Sequence, residues 1–200
     1  MPEFDDFLET LKKAAATLRD AEVPFLLGGG LAAWASGGPE SNHDLDLMVK
    51  PEDAERAVKA FAEAGFRVED PPEDWLYKAW EGDVLVDLIF EPSGGPVDDA
   101  MFQRAEEMDV AAVTMRVMAL EDVMVTKLLS LREHEVDYES VLEIGRALRE
   151  QIDWGDVWSR TGDSPYARAF FYLAEELDVL AERRACPDGD RRPSQSKSSR

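Results

Sequence analysis

The sequence is poor in cysteine, histidine, basic side chains and long apolar runs. Its single cysteine, Cys186, excludes a disulfide framework and a cysteine-rich zinc site. Two histidines are too few for the metal centre of a phosphohydrolase that needs several histidine ligands. No apolar run approaches the roughly 18 residues of a membrane-spanning helix, so we expect a soluble, cytoplasmic protein without a membrane partner.

Basic residues are outnumbered by acidic ones, 22 against 43, which gives a net charge of −21. This charge argues against non-specific binding to nucleic acid, because such binding requires Lys and Arg to neutralise phosphates. Six of the basic residues lie in 183–200. The Pro, Ser and Arg-rich end of the chain predicts a disordered tail over 186–200.

The remaining sequence alternates amphipathic and apolar segments. Periodicity predicts helices over 3–20, 31–36, 51–64 and about 98–107, and strands over 25–27, 44–49, 66–68, 76–80, 84–90 and 111–117. From Leu120 onward it predicts helices alone, at about 120–133, 138–150 and 164–183, with a short helix that carries Trp154 and Trp158. We therefore predict an α/β core over 1–118, a helical lobe packed on that core over 119–185, and the tail.

Three aspartates form the most informative pattern. Asp44 and Asp46 alternate with apolar residues in a predicted strand, so their side chains share one face. Asp87 interrupts the apolar run 84–90, where a charge is costly unless it is paired or bound to a metal. Carboxylates without nearby cysteine favour a hard cation, Mg²⁺ first and Mn²⁺ second.

A glycine-rich turn precedes these aspartates. Gly29 and Gly30 lie between a predicted strand and a predicted helix, where exposed backbone N–H groups can accept a phosphate. The turn, the paired aspartates and the isolated third one together indicate a two-metal phosphoryl-transfer site.

Residues 27–30 (LGGG) and 44–47 (DLDL) resemble the signature of the DNA polymerase β-like nucleotidyltransferases. That signature is a hydrophobic residue, a Gly-Gly or Gly-Ser pair and then an Asp-x-Asp motif. Asp87 fits the third carboxylate of the superfamily, and Ser41 matches the Ser or Thr often found before the paired aspartates. Residues 120–132 resemble the helix after the core in stand-alone bacterial members, which include antibiotic-modifying enzymes and abortive-infection toxins.

The resemblance implies an α+β nucleotidyltransferase fold, a small mixed sheet flanked by helices and followed by a C-terminal helical lobe. It implies that Asp44, Asp46 and Asp87 bind two Mg²⁺ ions and catalyse transfer of a nucleoside monophosphate from ATP or another NTP. Asp87 is also a candidate base. Gly29, Gly30, Ser41 and Lys127 would bind the nucleotide, with the Lys127 ammonium at its phosphates.

The sequence leaves the acceptor open between a small molecule, a protein hydroxyl and a tRNA end. Two other functions also stay open at this point. One is a catalytically inactive member of the same fold that serves as a binding protein or toxin–antitoxin component. The other is a hydrolase that uses the same carboxylates with water as the acceptor.

Overall fold

One mixed β-sheet organises the first part of the chain. The structure, a computed structural model, describes residues 3–40, 44–69 and 73–180. Within these ranges the strands are β1 (Phe25–Leu27), β2 (Leu45–Val49), β3 (Arg67–Glu69), β4 (Leu76–Glu81), β5 (Val84–Ile89), β6 (Glu106–Val110) and β7 (Val113–Val117). They form a single sheet in the order β3-β4-β5-β2-β1-β7-β6. The pairs β2–β5 and β1–β7 are parallel, and the other neighbours are antiparallel.

Eight helices accompany this sheet in the described ranges. They are α1 (Phe4–Asp20), α2 (Gly29–Ala35), α3 (Pro51–Glu63), α4 (Asp99–Arg104), α5 (Leu120–Ser130), α6 (Glu139–Leu148), α7 (Trp154–Thr161) and α8 (Pro165–Glu176). Local sequence explains several of their starts. The side chains of Asp98, Asp153 and Ser164 accept hydrogen bonds from the first turns of α4, α7 and α8. None of the helices in these ranges is long and apolar enough to cross a membrane.

Two hydrophobic clusters stabilise the fold. The first packs α1 and α3 against one face of the sheet, with Leu18, Phe61 and Leu88 fully buried. The second joins the helices from α5 to α8 around Phe170 and Phe171. Burying one such large side chain contributes about 1.5–3 kcal/mol. The predicted fold class, α+β with a mixed sheet flanked by helices and a helical C-terminal part, is therefore confirmed, and the predicted domain boundaries stay predictions.

A buried ion cluster connects the two parts. The Asp122 side chain on α5 is fully buried, and both its oxygens accept hydrogen bonds from Arg104, which ends α4, at 2.9 Å. Arg160 on α7 binds the same carboxylate. A buried carboxylate is stable only when it is paired in this way, so Asp122 fixes α5 between the edge of the sheet and the helices.

The structure corrects several predicted boundaries. Residues 106–107, predicted as helix, begin strand β6, which forms a hairpin with β7 through Ala111 and Ala112, both at positive φ. The sequence did not indicate β6 because Glu106, Glu107 and Asp109 are all exposed on this edge strand. Helix α2 begins at Gly29 rather than 31, and α5 ends at Ser130 rather than 133. Helix α8 ends at Glu176; residues 181–200, with the predicted tail, lie outside the described residues.

Candidate active site

One row of side chains crosses the sheet and contains two of the predicted aspartates. Asp46 on β2 lies directly beside Asp87 on the parallel strand β5, and Lys78 on β4 lies opposite Asp87. Residues that are directly paired across a ladder point to the same face of the sheet. The row therefore brings Lys78, Asp87 and Asp46 together on one face, and its next position is Gly28, whose N–H donates to the Asp46 carbonyl oxygen at 2.9 Å.

Asp44 completes a cluster of three carboxylates. It lies just before β2, which begins at Leu45, one residue later than the predicted strand. Asp44, Asp46 and Asp87 each offer one oxygen atom, and these three atoms lie within 4.8 Å of one another. The structure thus brings together the three residues that the sequence analysis singled out, although Asp87 is far from the other two along the chain.

The cluster changes the acidity of Asp46. Burial first, and then the neighbouring charges of Asp44 and Asp87, raise the pKa of this half-buried carboxyl from 3.8 to about 7. Lys127 and Lys78 act in the opposite direction. Carboxylates held this close repel one another, so a bound cation would restore the ionised form of Asp46.

Asp87 has a partner that the sequence analysis missed. The Lys78 ammonium lies 3.2 Å from one carboxylate oxygen of Asp87 and 3.4 Å from the other. Burial nevertheless raises the pKa of Asp87, which is only 7% exposed, while Lys78 lowers it. The sequence did indicate this pairing, because a tight turn at Gly82 and Asp83 sets the register of the β4–β5 hairpin and places position 78 opposite position 87.

The glycine-rich turn lies directly against Asp46. Gly29 adopts a positive φ of 55°, and a Cβ atom on it would meet the Asp46 Oδ2 atom at 1.6 Å. Only glycine can therefore hold the backbone this close to the carboxylate. Among the residues that the structure describes, no side chain caps the start of α2 at Gly29 and Gly30, although the first N–H groups of a helix have no acceptor within the helix.

Lys127 lies on α5, half-buried, and near enough to Asp46 to lower the pKa of its carboxyl. It also lines an open groove of about 880 Å³ between the loop that follows β5 and the helices α5 and α6, together with Trp75, Gly94 and Asp137. The predicted nucleotide-binding residue Ser41 lies outside the described residues.

The donor set of the carboxylate cluster fits a divalent metal. Three carboxylates supply only oxygen ligands, which Mg²⁺ and Mn²⁺ prefer, and among the described residues no thiol or imidazole joins the cluster. The 4.8 Å that bounds the distances between these oxygens is close to the separation of about 4.2 Å between opposite ligands of one ion, since Mg–O distances are about 2.1 Å.

Solved structures of antibiotic-modifying enzymes are similar to this one. ANT(2'')-Ia, an antibiotic-resistance factor, has 16% sequence identity and a TM-score of 0.62, over 88% of this chain and 98% of that chain. Its complex with adenylyl-2''-tobramycin gives 17% identity and a TM-score of 0.60, over 84% and 98% of the two chains. LnuA, a lincosamide antibiotic adenylyltransferase with lincomycin bound, has 12% sequence identity and a TM-score of 0.50, over 76% of this chain and 97% of that chain. At such identities the likeness shows the fold alone.

Sequence comparison identifies the family. No curated protein matches the chain. The sequence profile of a family described as "Uncharacterised nucleotidyltransferase" matches residues 7–179, which is most of the chain. The protein therefore belongs to this family of nucleotidyltransferase enzymes.

Proposed function

We propose that the protein transfers a nucleoside monophosphate from an NTP to a hydroxyl acceptor in a reaction that depends on Mg²⁺. The observation that carries the proposal is the cluster of Asp44, Asp46 and Asp87, whose oxygens lie within 4.8 Å of one another. Ionised carboxylates avoid such proximity because they repel, so a cluster of this kind on one sheet face is best explained by a cation that binds there.

The three carboxylates would have different roles in the reaction. Asp44 and Asp46 would hold Mg²⁺, which when bound neutralises charge on the triphosphate and on the departing pyrophosphate. Asp87 would accept the proton of the acceptor hydroxyl, and its raised pKa makes it a stronger base than an exposed aspartate. The hydroxyl oxygen then forms a bond to the α-phosphorus, the bond to the β-phosphate oxygen breaks, and pyrophosphate leaves.

The nucleotide-binding residues remain predictions that the local geometry supports. The backbone at Gly29 and Gly30 lies against Asp46, so phosphates bound there would also be next to the metal ligands. Lys127 would place a positive charge on the helical side of the same space. Ser41 would contribute from the segment just before Asp44.

For the acceptor we propose a small molecule that carries a hydroxyl group. Two similar structures, which the match covers over 98% and 97% of their length, are named for an adenylylated antibiotic and for antibiotic adenylyl transfer. This supports a small acceptor. The net charge of −21 favours a neutral or cationic molecule over a tRNA end. A protein hydroxyl would be compatible with the charge and is distinguished by the size of the labelled product.

The test is transfer of label from each α-labelled NTP into a cell extract, with pyrophosphate release measured in parallel. With Mg²⁺ we expect label in a small product for the wild type, and a loss of at least about 10³-fold for Asp46→Asn, because removal of a metal ligand removes most charge stabilisation. Asp83→Asn is the matched control, since Asp83 is an exposed aspartate in the turn between β4 and β5.

Each alternative function has a distinct outcome. A hydrolase would release free nucleoside monophosphate or phosphate without extract, and a binding protein would retain NTP without any turnover. If Asp46→Asn released pyrophosphate as fast as the wild type, the carboxylate cluster would not be the catalytic centre and the proposal would be wrong.

A further inference from the structure

The Lys78 ammonium is a positively charged group in direct contact with Asp87. It contacts both carboxylate oxygens of Asp87, at 3.2 and 3.4 Å, so it is nearly equidistant from the two oxygens. An ammonium donates hydrogen bonds and has no lone pair. It therefore cannot be a metal ligand, and it competes with any cation for the lone pairs of Asp87.

The sheet fixes Lys78 in this position. Lys78 is directly opposite Asp87 in the β4–β5 ladder, and only about a quarter of its side chain is exposed (27%). On the other side, Glu69 of β3 is paired with the same position and could attract the ammonium away. Glu69 instead forms an ion pair with Arg67, while the Lys78 ammonium contacts Asp87.

The charges of the cluster balance with one divalent cation. Three ionised carboxylates carry three negative charges, and one Mg²⁺ together with the Lys78 ammonium carries three positive ones. The two further charges that act on the cluster, the Lys127 ammonium near Asp46 and the Glu73 carboxylate near Asp87, are of opposite sign and leave this balance unchanged. A second Mg²⁺ at Asp87 would face the ammonium at less than about 5.5 Å, since Mg–O distances are about 2.1 Å and the ammonium is 3.2 Å from the nearer oxygen. Repulsion at that distance weakens binding of a second ion.

We propose that the cluster binds a single divalent cation and that the Lys78 ammonium takes the place of the second one at Asp87. Lys78 is then a positioning residue: it keeps the Asp87 carboxylate oriented and ionised, and it leaves Asp87 to accept the proton of the acceptor. This inference rests on the proposed function, and it differs from the two-metal arrangement that the resemblance implied.

The experiment counts Mn²⁺ ions bound to the whole chain by electron paramagnetic resonance, without nucleotide. Only ions that are lost in Asp46→Asn are attributed to the cluster, because an acidic surface also binds Mn²⁺ weakly. We expect one such ion in the wild type, one in Lys78→Arg, which keeps the charge, and two in Lys78→Met. The second ion in Lys78→Met should bind at least about tenfold more tightly than any second ion in the wild type.

Lys13→Met is the matched control. Lys13 is another partly exposed lysine, and its ion pair with Glu81 joins α1 to β4 away from the carboxylates. It should bind one cluster ion, as the wild type does. Circular dichroism of each variant checks that the sheet is intact, and Lys78→Arg keeps the test decisive if Lys78→Met does not fold: two cluster ions in the wild type or in Lys78→Arg would overturn the inference.

The remaining outcomes separate this inference from the proposed function. Two cluster ions in the wild type, or one in a folded Lys78→Met, would refute the role of Lys78 and leave metal-dependent transfer standing. No Mn²⁺ that depends on Asp46 would overturn both. The count requires no turnover, so an acceptor that has yet to be identified does not affect it.

Discussion

Replacing Asp46 with asparagine should stabilise the metal-free protein and abolish the stabilisation that Mg²⁺ gives to the wild type. In the metal-free fold, burial and the charges of Asp44 and Asp87 raise the pKa of Asp46 to about 7 from 3.8. A pKa shift of this size corresponds to about 4 kcal/mol between the ionised and protonated forms. Asp46 is only half-buried, so water screens part of the repulsion, and we expect about 2 kcal/mol at pH 8.

The direction in which the free energy of unfolding changes with pH follows from the number of protons bound in each state. Between the unfolded pKa of 3.8 and the folded pKa of about 7, the native state holds a proton on Asp46 that the unfolded state has lost. The free energy of unfolding therefore falls as the pH rises through this window. An asparagine side chain cannot titrate, so Asp46→Asn lacks this part of the pH dependence, and its advantage over the wild type should grow toward pH 8.

The assay is thermal unfolding with EDTA from about pH 5 to 8, followed by circular dichroism. For a chain of this size, about 2 kcal/mol corresponds to about 4–8 °C in Tm. Asp83→Asn is the control for loss of an exposed aspartate and should keep the wild-type pH dependence. Excess Mg²⁺ should then raise the Tm of the wild type, because it binds only the native cluster, and leave Asp46→Asn unchanged. Equal pH dependence of the wild type and Asp46→Asn without metal would refute the reasoning.

Three further substitutions test other contacts. Gly29→Ala should abolish Mn²⁺ binding, because its Cβ would collide with a metal-binding carboxylate. Gly82→Ala is the control: it has nearly the same φ and no described atom within 4 Å, so it should keep Mn²⁺ binding and lose only about 1 kcal/mol in urea unfolding. Equal Mn²⁺ binding by the two variants would contradict the contact. Asp122→Asn should cost about 3 kcal/mol in the same assay and Asp156→Asn, on the surface, less than about 1, and similar values would contradict the buried cluster. Lys127→Met should raise KM for the NTP about tenfold with a smaller change in kcat, and an unchanged KM would place Lys127 outside the nucleotide site.

The carboxylates of the site were predictable because their signals are local. Alternation around Asp46 and the apolar run around Asp87 each indicate a strand without knowledge of the fold. The fold class followed from the order of such segments. Strand β6 was missed because its acidic, exposed residues carry no apolar pattern, and it forms only through pairing with β7.

Lys78, the partner of Asp87, was only partly predictable from the sequence. The turn at Gly82 and Asp83 sets a register that pairs positions 78 and 87, so a register argument from the sequence could have found Lys78. It could not have shown which carboxylate Lys78 binds. Only the tertiary structure shows that Lys78 contacts Asp87 while Glu69, on the edge strand, pairs with Arg67.

By itself, the sequence determined which residue types the site could use and on which strands they lie, because hydrophobic periodicity and the placement of charges are properties of short segments. The tertiary structure alone decided the approach of Gly29 to Asp46, the burial of Asp122 between two arginines, and the distance between the carboxylates. These features depend on how separate segments pack in space, and packing also sets the burial and the neighbouring charges that raise the pKa of Asp46.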